Sequence, residues 1–212
     1  MESGQPGSDS ASKRQRSTEP ARARLAETLL TLEAAAELEA RGSKEAGVLI
    51  AIFGHPESTG IVFTERRLDL PRHPGEISFP GGKPLGGEAL VDCALRESQE
   101  EIALDPAEVE IVGALPPVST VVTGYKVSPF VGLIRRHLPL EANPAEVERI
   151  LPLEIDALRD GYEHRRLIRQ GIPIRTPTYT VNGDLIWGAT ARILEDLLAR
   201  IDSTPALIDG VG

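Results

Sequence analysis

The chain has 212 residues, 41% hydrophobic content and only 4% aromatics, enough for one mid-sized domain with a largely aliphatic core. A formal net charge of −9 argues against a broad nucleic-acid or membrane surface, which requires a basic field, though it leaves a small anionic ligand open. With one cysteine, Cys93, no internal disulfide can form, and the absence of an apolar leader or membrane-length run predicts a soluble, cytoplasmic protein.

Residues 1–20 are small and polar without periodicity and read as a disordered tail; their KRQR run reads as part of that solvated tail. Residues 21–44 follow as an N-terminal helix, with Leu25, Leu29, Leu32 and Ala36 at helical spacing and Gly42 at the expected end. A main domain over 45–203 then begins with AGVLIAIF as a buried strand and GIVFT as a second. EISF enters a Pro-Gly-Gly turn, and a glutamate-rich helix follows from about Glu88 to Ala103. EVEIVGAL and VSPFVGLI are further strands, separated by PPVSTVVTGYK, a long polar connection suited to lining a pocket. EIDALR is a short helix. IPIRTPTYTV and DLIW flank the hairpin turn Asn182-Gly183, and GATARILEDLLARI is a final amphipathic helix before a C-terminal tail over 204–212. Clustered strands followed by strands interleaved with helices imply an α/β fold, a mixed sheet with helices on both faces.

The glutamate helix carries the chemistry. At about 100° per residue, Leu90, Val91, Ala94, Leu95 and Ile102 occupy roughly 140° of arc and form the core stripe. Ser98 falls inside that stripe. Glu97, Glu100 and Glu101 share an adjoining arc, with Arg96 just beyond Glu100. Like charges at i,i+3 and i,i+4 cost a few tenths of a kcal/mol per pair, and the helix C-terminus disfavours anions. Two things can offset this: solvation of an acidic face, or a hard divalent cation such as Mg²⁺, which takes oxygen ligands.

The spacing extends into the preceding loop. Gly82, Glu88, Arg96-Glu97 and Glu100-Glu101 resemble the Nudix box, G-x5-E-x7-R-E-U-x-E-E-x-G-U, with Ser98 in place of the first aliphatic residue and Ala103 in place of the last glycine. The resemblance implies a Nudix-type α/β/α sandwich in which Glu97, Glu100 and Glu101 hold Mg²⁺ or Mn²⁺ and Glu88 and Arg96 form a supporting salt bridge. It implies hydrolysis of a nucleoside diphosphate linked to a further group X, with Glu100 favoured as ligand and base, although family members also place the base outside the box. Ala103 in a left-handed helix end would cost on the order of 1 kcal/mol relative to Gly.

Phe63 to Gly82 resembles the additional signature of the coenzyme A pyrophosphatase subfamily, through Thr64, Arg66, Leu70, His73, Gly75, Glu76, Ile77, Phe79, Pro80, Gly81 and Gly82. Arg67 stands where that signature has Ser, and Pro71 where Arg is common, with Arg72 next to it. The likeness covers about residues 45–200. It implies coenzyme A (CoA), or a related nucleotide, as the small-molecule substrate, with 3′,5′-ADP and 4′-phosphopantetheine as products. Arg66, Arg67, Arg72, His73, Gly81 and Gly82 are then the expected substrate-binding residues, since arginine pairs bidentately with phosphate. ADP-ribose or another nucleoside diphosphate-X is the alternative substrate, and a non-catalytic nucleotide-binding module the alternative class. No nucleic acid or membrane partner is expected; a homodimer stays open. His55, His137 and His164 lack companions at metal spacing, and Cys93 and Trp187 read as packing residues.

Overall fold

A computed structural model describes residues 22–55, 58–71, 73–120, 123–135, 138–169 and 172–203. The tails over 1–20 and 204–212, Arg72 and His137 lie outside them. Among the described residues no helix is long and apolar enough to cross a membrane.

Strand β1 (Lys44–His55) is the centre of the larger sheet. It pairs antiparallel with β2 (Ser58–Arg66) and parallel with β7 (Tyr125–Arg135), so the sheet is mixed. β2 also pairs with β3 (Ile77–Ser78) and β8 (Val147–Glu154), while β7 pairs with β5 (Glu110–Ala114) and β6 (Val118–Ser119). The two-residue β4 (Gly81–Gly82) lies against β1 at Val48 and Gly47.

Successive side chains of β1 point to opposite faces, and both faces are covered. Ile50 and Ile52 join one buried cluster; Leu49, Ala51 and Phe53 join another. The second cluster is closed by α3 (Leu90–Ile102), which contributes Ala94 and Ile102. The first is closed by α5 (Gly188–Asp202), whose Ala191, Ile193, Leu194, Leu197, Leu198 and Ile201 are buried. A smaller antiparallel sheet, β9 (Tyr162–Arg169), β10 (Ile172–Val181) and β11 (Asp184–Ile186), adds Tyr179, Val181 and Ile186 to the α5 side. The result is the mixed sheet with helices on both faces expected from the strand and helix pattern, arranged as the α/β/α sandwich that the resemblance implied. The turn between β10 and β11 is Asn182-Gly183, with φ of 53° and 92°, the conformation for which Asn-Gly is selected.

The N-terminal segment departs from a single helix. Residues 22–28 form α1, and α2 spans Leu32–Glu37. Between them Leu30 exchanges two backbone hydrogen bonds of 2.9 Å with Ala114 at the free edge of β5. The chain thereby crosses the sheet edge: Leu25 and Leu29 enter the α5-side core, whereas Leu32 and Ala35 pack on the α3 side. Thr31 caps the second helix through its hydroxyl, which accepts the Ala34 N–H at 3.2 Å, and the helix stops at an extended Leu38 rather than at Gly42. Strands β8 and β9 have no counterpart in the sequence reading. β8 carries Pro152 within it, and half of β9 is charged, so neither shows a plain apolar alternation. The short helix α4 (Ile155–Asp160) lies between them.

Candidate active site

The α3 helix begins after the Gly-rich turn and runs down one face of β1. Ser98 is fully buried in its core stripe, and its hydroxyl donates to the Ala94 carbonyl at 2.6 Å, so the polar group is satisfied within the helix. The helix ends at Ala103, which is left-handed (φ 54°, ψ 27°) and donates its N–H to the carbonyl of Gln99 at 3.0 Å. Alanine therefore adopts the strained left-handed cap itself.

Arg96 organises the polar side of this helix. Its guanidinium grips Glu88 with two hydrogen bonds, Nε to Oε1 at 2.9 Å and Nη2 to Oε2 at 3.1 Å. It also donates to Glu97 at 3.0 Å, Glu100 at 3.1 Å and the Lys83 carbonyl at 3.1 Å. Glu88 accepts the Leu85 N–H at 2.8 Å as well, which fixes the loop onto the helix. These contacts raise the Arg96 pKa further above its ordinary value and lower that of Glu88.

The carboxylates differ sharply in environment. Glu100 is 57% exposed, Glu97 only 19%. Burial raises the Glu97 pKa, with Arg96 opposing. Glu101 accepts the Gly81 N–H at 3.2 Å, yet burial pushes its pKa up to about 8, and the nearby charges of Glu97 and Glu146 push the same way. Gly81 and Gly82 make this crowding feasible. A Cβ at Gly82 would sit 2.4 Å from the Glu97 carboxyl carbon, and one at Gly81 2.3 Å from the Gly47 carbonyl oxygen. Only a backbone without side chains passes between β1 and these carboxylates.

Glu146 has no signal in the sequence motif. It arrives because the segment before β8 docks on the end of α3: Glu141 and Asn143 donate their N–H groups to the carbonyls of Ile102 (3.0 Å) and Glu101 (2.8 Å). Asn143 then accepts the Glu146 N–H at 3.1 Å through its carbonyl. A fourth carboxylate is thus brought to the cluster, with Arg66 3.8 Å from it.

The donor set suits a hard divalent cation. Glu97, Glu101 and Glu146 converge where burial and their mutual repulsion raise the pKa values of Glu97 and Glu101, a cost that a cation would offset, and every donor is an oxygen. Among the described residues no three ligands are yet gathered at metal distances; Glu97 and Glu100 face Arg96 instead.

Beside the carboxylates opens a cavity of about 940 Å³, lined by Arg66, His73 and Gly82 and also by Lys44, Lys83, Thr120, Thr123 and Tyr125. The polar connection between β5 and β7 does line a pocket. His73 is paired with Glu76 at 2.5 Å. Arg67 is turned elsewhere, donating to both Asp69 oxygens at 2.8 and 2.7 Å and to the Pro144 carbonyl, and it is not among the lining residues. Cys93 is buried, with its thiol donating to the Gly82 carbonyl at 3.4 Å and its pKa raised by desolvation. His164 belongs to a surface cluster with Tyr162 and Glu195, remote in sequence from the box.

The sandwich and the carboxylate-edged helix agree with what comparison shows: the chain belongs to the Nudix hydrolase family, its residues 44–167 matching the NUDIX domain. A Salmonella paratyphi B protein named "Uncharacterized Nudix hydrolase NudL" is 37% identical over 170 residues, covering 79% of this chain and 88% of that one. The same holds for the protein of that name from Salmonella newport. Among solved structures, a MutT/nudix family protein from Enterococcus faecalis aligns with a TM-score of 0.52 at 15% identity, covering 98% of this chain and 79% of that one. The NUDIX domain of Shewanella oneidensis NrtR, complexed with ADP ribose, gives a TM-score of 0.51 at 12% identity, covering 77% and 90%. These two likenesses speak to the fold alone.

Proposed function

We propose that this Nudix hydrolase cleaves the diphosphate bond of coenzyme A, giving 3′,5′-ADP and 4′-phosphopantetheine. The observation that carries the reading is the 940 Å³ cavity, lined by Lys44, Arg66 and Lys83, which meets the carboxylate edge of α3 at Gly82, beside Glu97. The Phe63–Gly82 signature shared with coenzyme A pyrophosphatases supports the substrate.

Glu97, Glu100 and Glu101 would hold Mg²⁺ or Mn²⁺, which when bound neutralises diphosphate charge and acidifies the attacking water. The remaining work falls to the protein. Arg96 anchors Glu88 and restrains Glu97 and Glu100, so the carboxylates meet their ligand from fixed positions. Arg66, at the cavity wall beside Glu146, supplies positive charge to the diphosphate oxygens. Glu146 lies outside the helix and faces Glu97 and Glu101, and it accepts the proton of the attacking water. The water oxygen bonds to one phosphorus, the bridging P–O bond breaks, and each product leaves with a terminal phosphate.

The test is a substrate panel: kcat/KM for CoA, dephospho-CoA and ADP-ribose, each with and without Mg²⁺. CoA is expected to be cleaved most efficiently and only with the cation. More efficient hydrolysis of ADP-ribose would refute the substrate assignment while leaving the Nudix chemistry intact.

A further inference from the structure

The arginines do not account for the cationic side of the cavity. Arg67 is spent on Asp69 and Pro144, and Arg66 is directed toward Glu146 and Glu101. The cavity nevertheless holds two other cations, Lys44 and Lys83, at its exposed rim. Both ammonium groups lie over one aromatic ring, Lys44 at 5.4 Å and Lys83 at 5.7 Å from the centroid of Tyr125. Neither makes a salt bridge with an acidic side chain among the described residues. In a chain of net charge −9, two cations share one half-buried ring.

The arrangement is built into the backbone. Lys44 opens β1 directly beside Tyr125, the first residue of β7, in the parallel register. The Lys44 N–H donates to the Gly124 carbonyl at 3.3 Å, and the Tyr125 N–H donates to the Thr120 hydroxyl oxygen at 2.8 Å. Thr123 donates to the same hydroxyl oxygen at 2.7 Å, and Arg192 holds the Ser119 carbonyl at 2.6 Å. Tyr125 is therefore presented by a tied loop.

Its place along the sheet separates it from the reaction centre. β1 meets Gly82, which abuts Glu97, at Gly47, three residues beyond Lys44. At a rise of about 3.3 Å per residue that is about 10 Å along the strand. The Lys44–Tyr125 pair is thus set apart from the Glu97–Glu101 edge, and Lys83, next in sequence to Gly82, spans the two. Two neighbouring ammonium groups repel unless an anion lies between them, and an ammonium is a compact phosphate donor.

We propose that Lys44, Lys83 and Tyr125 form a second anion subsite, which takes a phosphate monoester carried by the diphosphate substrate outside the scissile linkage. This rests on the diphosphate hydrolase reading and adds to it the residues that select the substrate. The 3′-phosphate of CoA is such a group; dephospho-CoA lacks it.

Two measurements test the subsite. In the first, kcat/KM for CoA and dephospho-CoA is compared in the wild type, Lys44→Gln, Lys83→Gln and the double variant. The wild type should favour CoA by about ten- to a hundredfold, the value of one or more charge-assisted contacts. Each single variant should reduce that ratio several-fold, and the double variant should bring it near one. In the second, calorimetry compares 3′,5′-ADP with 5′-AMP binding, a readout independent of turnover. The wild type should bind 3′,5′-ADP more tightly, and the lysine variants should erase the difference. A wild-type preference near one, or a preference unchanged in the double variant, overturns the subsite. If no diphosphate is cleaved at all, the hydrolase reading fails, and equal calorimetric affinities for the two nucleotides would then overturn the subsite separately.

Discussion

Replacing Glu101 with Gln should make the metal-free protein more stable while removing its activity. The carboxyl is held at about 8 against an ordinary 4.5, chiefly by burial. A folded-state pKa above the unfolded value means that the folded protein binds the proton more tightly. The associated stability is complete below pH 4.5 and is lost as pH rises through about 8. At pH 7 the unfolded chain gains ionisation free energy that the folded chain forgoes. Linkage sets this at roughly 3 kcal/mol at most, and residual solvent contact brings it to roughly 1–3 kcal/mol. Gln is isosteric with the protonated acid, and its carbonyl oxygen can keep the 3.2 Å hydrogen bond from Gly81 N–H. The variant should therefore melt roughly 2–10 °C higher than the wild type at pH 7 in chelator. The assay is differential scanning calorimetry in EDTA from pH 5 to 8.5. The gap between variant and wild type should widen with pH, and Mg²⁺ should narrow it by stabilising the wild type. A variant that melts at or below the wild type at pH 8 would refute the claim that burial holds the Glu101 carboxyl well above its ordinary pKa.

Other expectations follow from single contacts. Glu97→Gln should cut turnover by orders of magnitude at ordinary Mg²⁺ with little change in melting temperature, and steady-state kinetics beside calorimetry checks it. Glu146→Gln should lower kcat by about a hundredfold or more, the usual value of a general base, and shift KM little; equal kcat would remove Glu146 from the chemistry. Ala103→Gly should stabilise the protein by about 1 kcal/mol, since it relieves a left-handed alanine at φ 54°, and a melting temperature unchanged or lowered would contradict that cap. Arg67→Ala should leave the ratio of CoA to dephospho-CoA hydrolysis at its wild-type value, because that guanidinium serves Asp69 and Pro144.

The local period of the chain made much of this architecture legible. The apolar stripe of Leu90, Ala94 and Ile102 specifies a helix lying on a sheet, and the run from Ala46 to Phe53 specifies a strand buried on both faces. The Asn182-Gly183 pair specifies its turn. What stayed hidden depends on contacts between distant segments. The break at Leu30 exists because the edge of β5 offers Ala114 to its backbone, and nothing near Leu30 in sequence announces that edge. The spacing of Glu88, Arg96, Glu97, Glu100 and Glu101 is local to one loop and helix, so those candidate residues could be named in advance. Glu146 could not, since only the docking of residues 141–146 on the end of α3 brings it near. Arg67 shows the converse. Its position beside Arg66 suggested a phosphate contact, but adjacent residues of a strand end point to opposite sides, and Asp69 lies within its reach. Lys44 and Tyr125 lie 81 positions apart and meet only through the parallel pairing of β1 with β7.

The most direct measurement of the central claim is mass-spectrometric product analysis of CoA incubated with the protein in ¹⁸O-enriched water, with Mg²⁺ or with EDTA, alongside Glu97→Gln and Glu101→Gln. The account predicts 3′,5′-ADP and 4′-phosphopantetheine in equal amounts, one of the two carrying a single ¹⁸O on its terminal phosphate. It predicts their formation by the wild type with Mg²⁺ and a loss of orders of magnitude in EDTA or in either variant. Intact CoA in every sample, or equal product from the wild type and both variants, would contradict it.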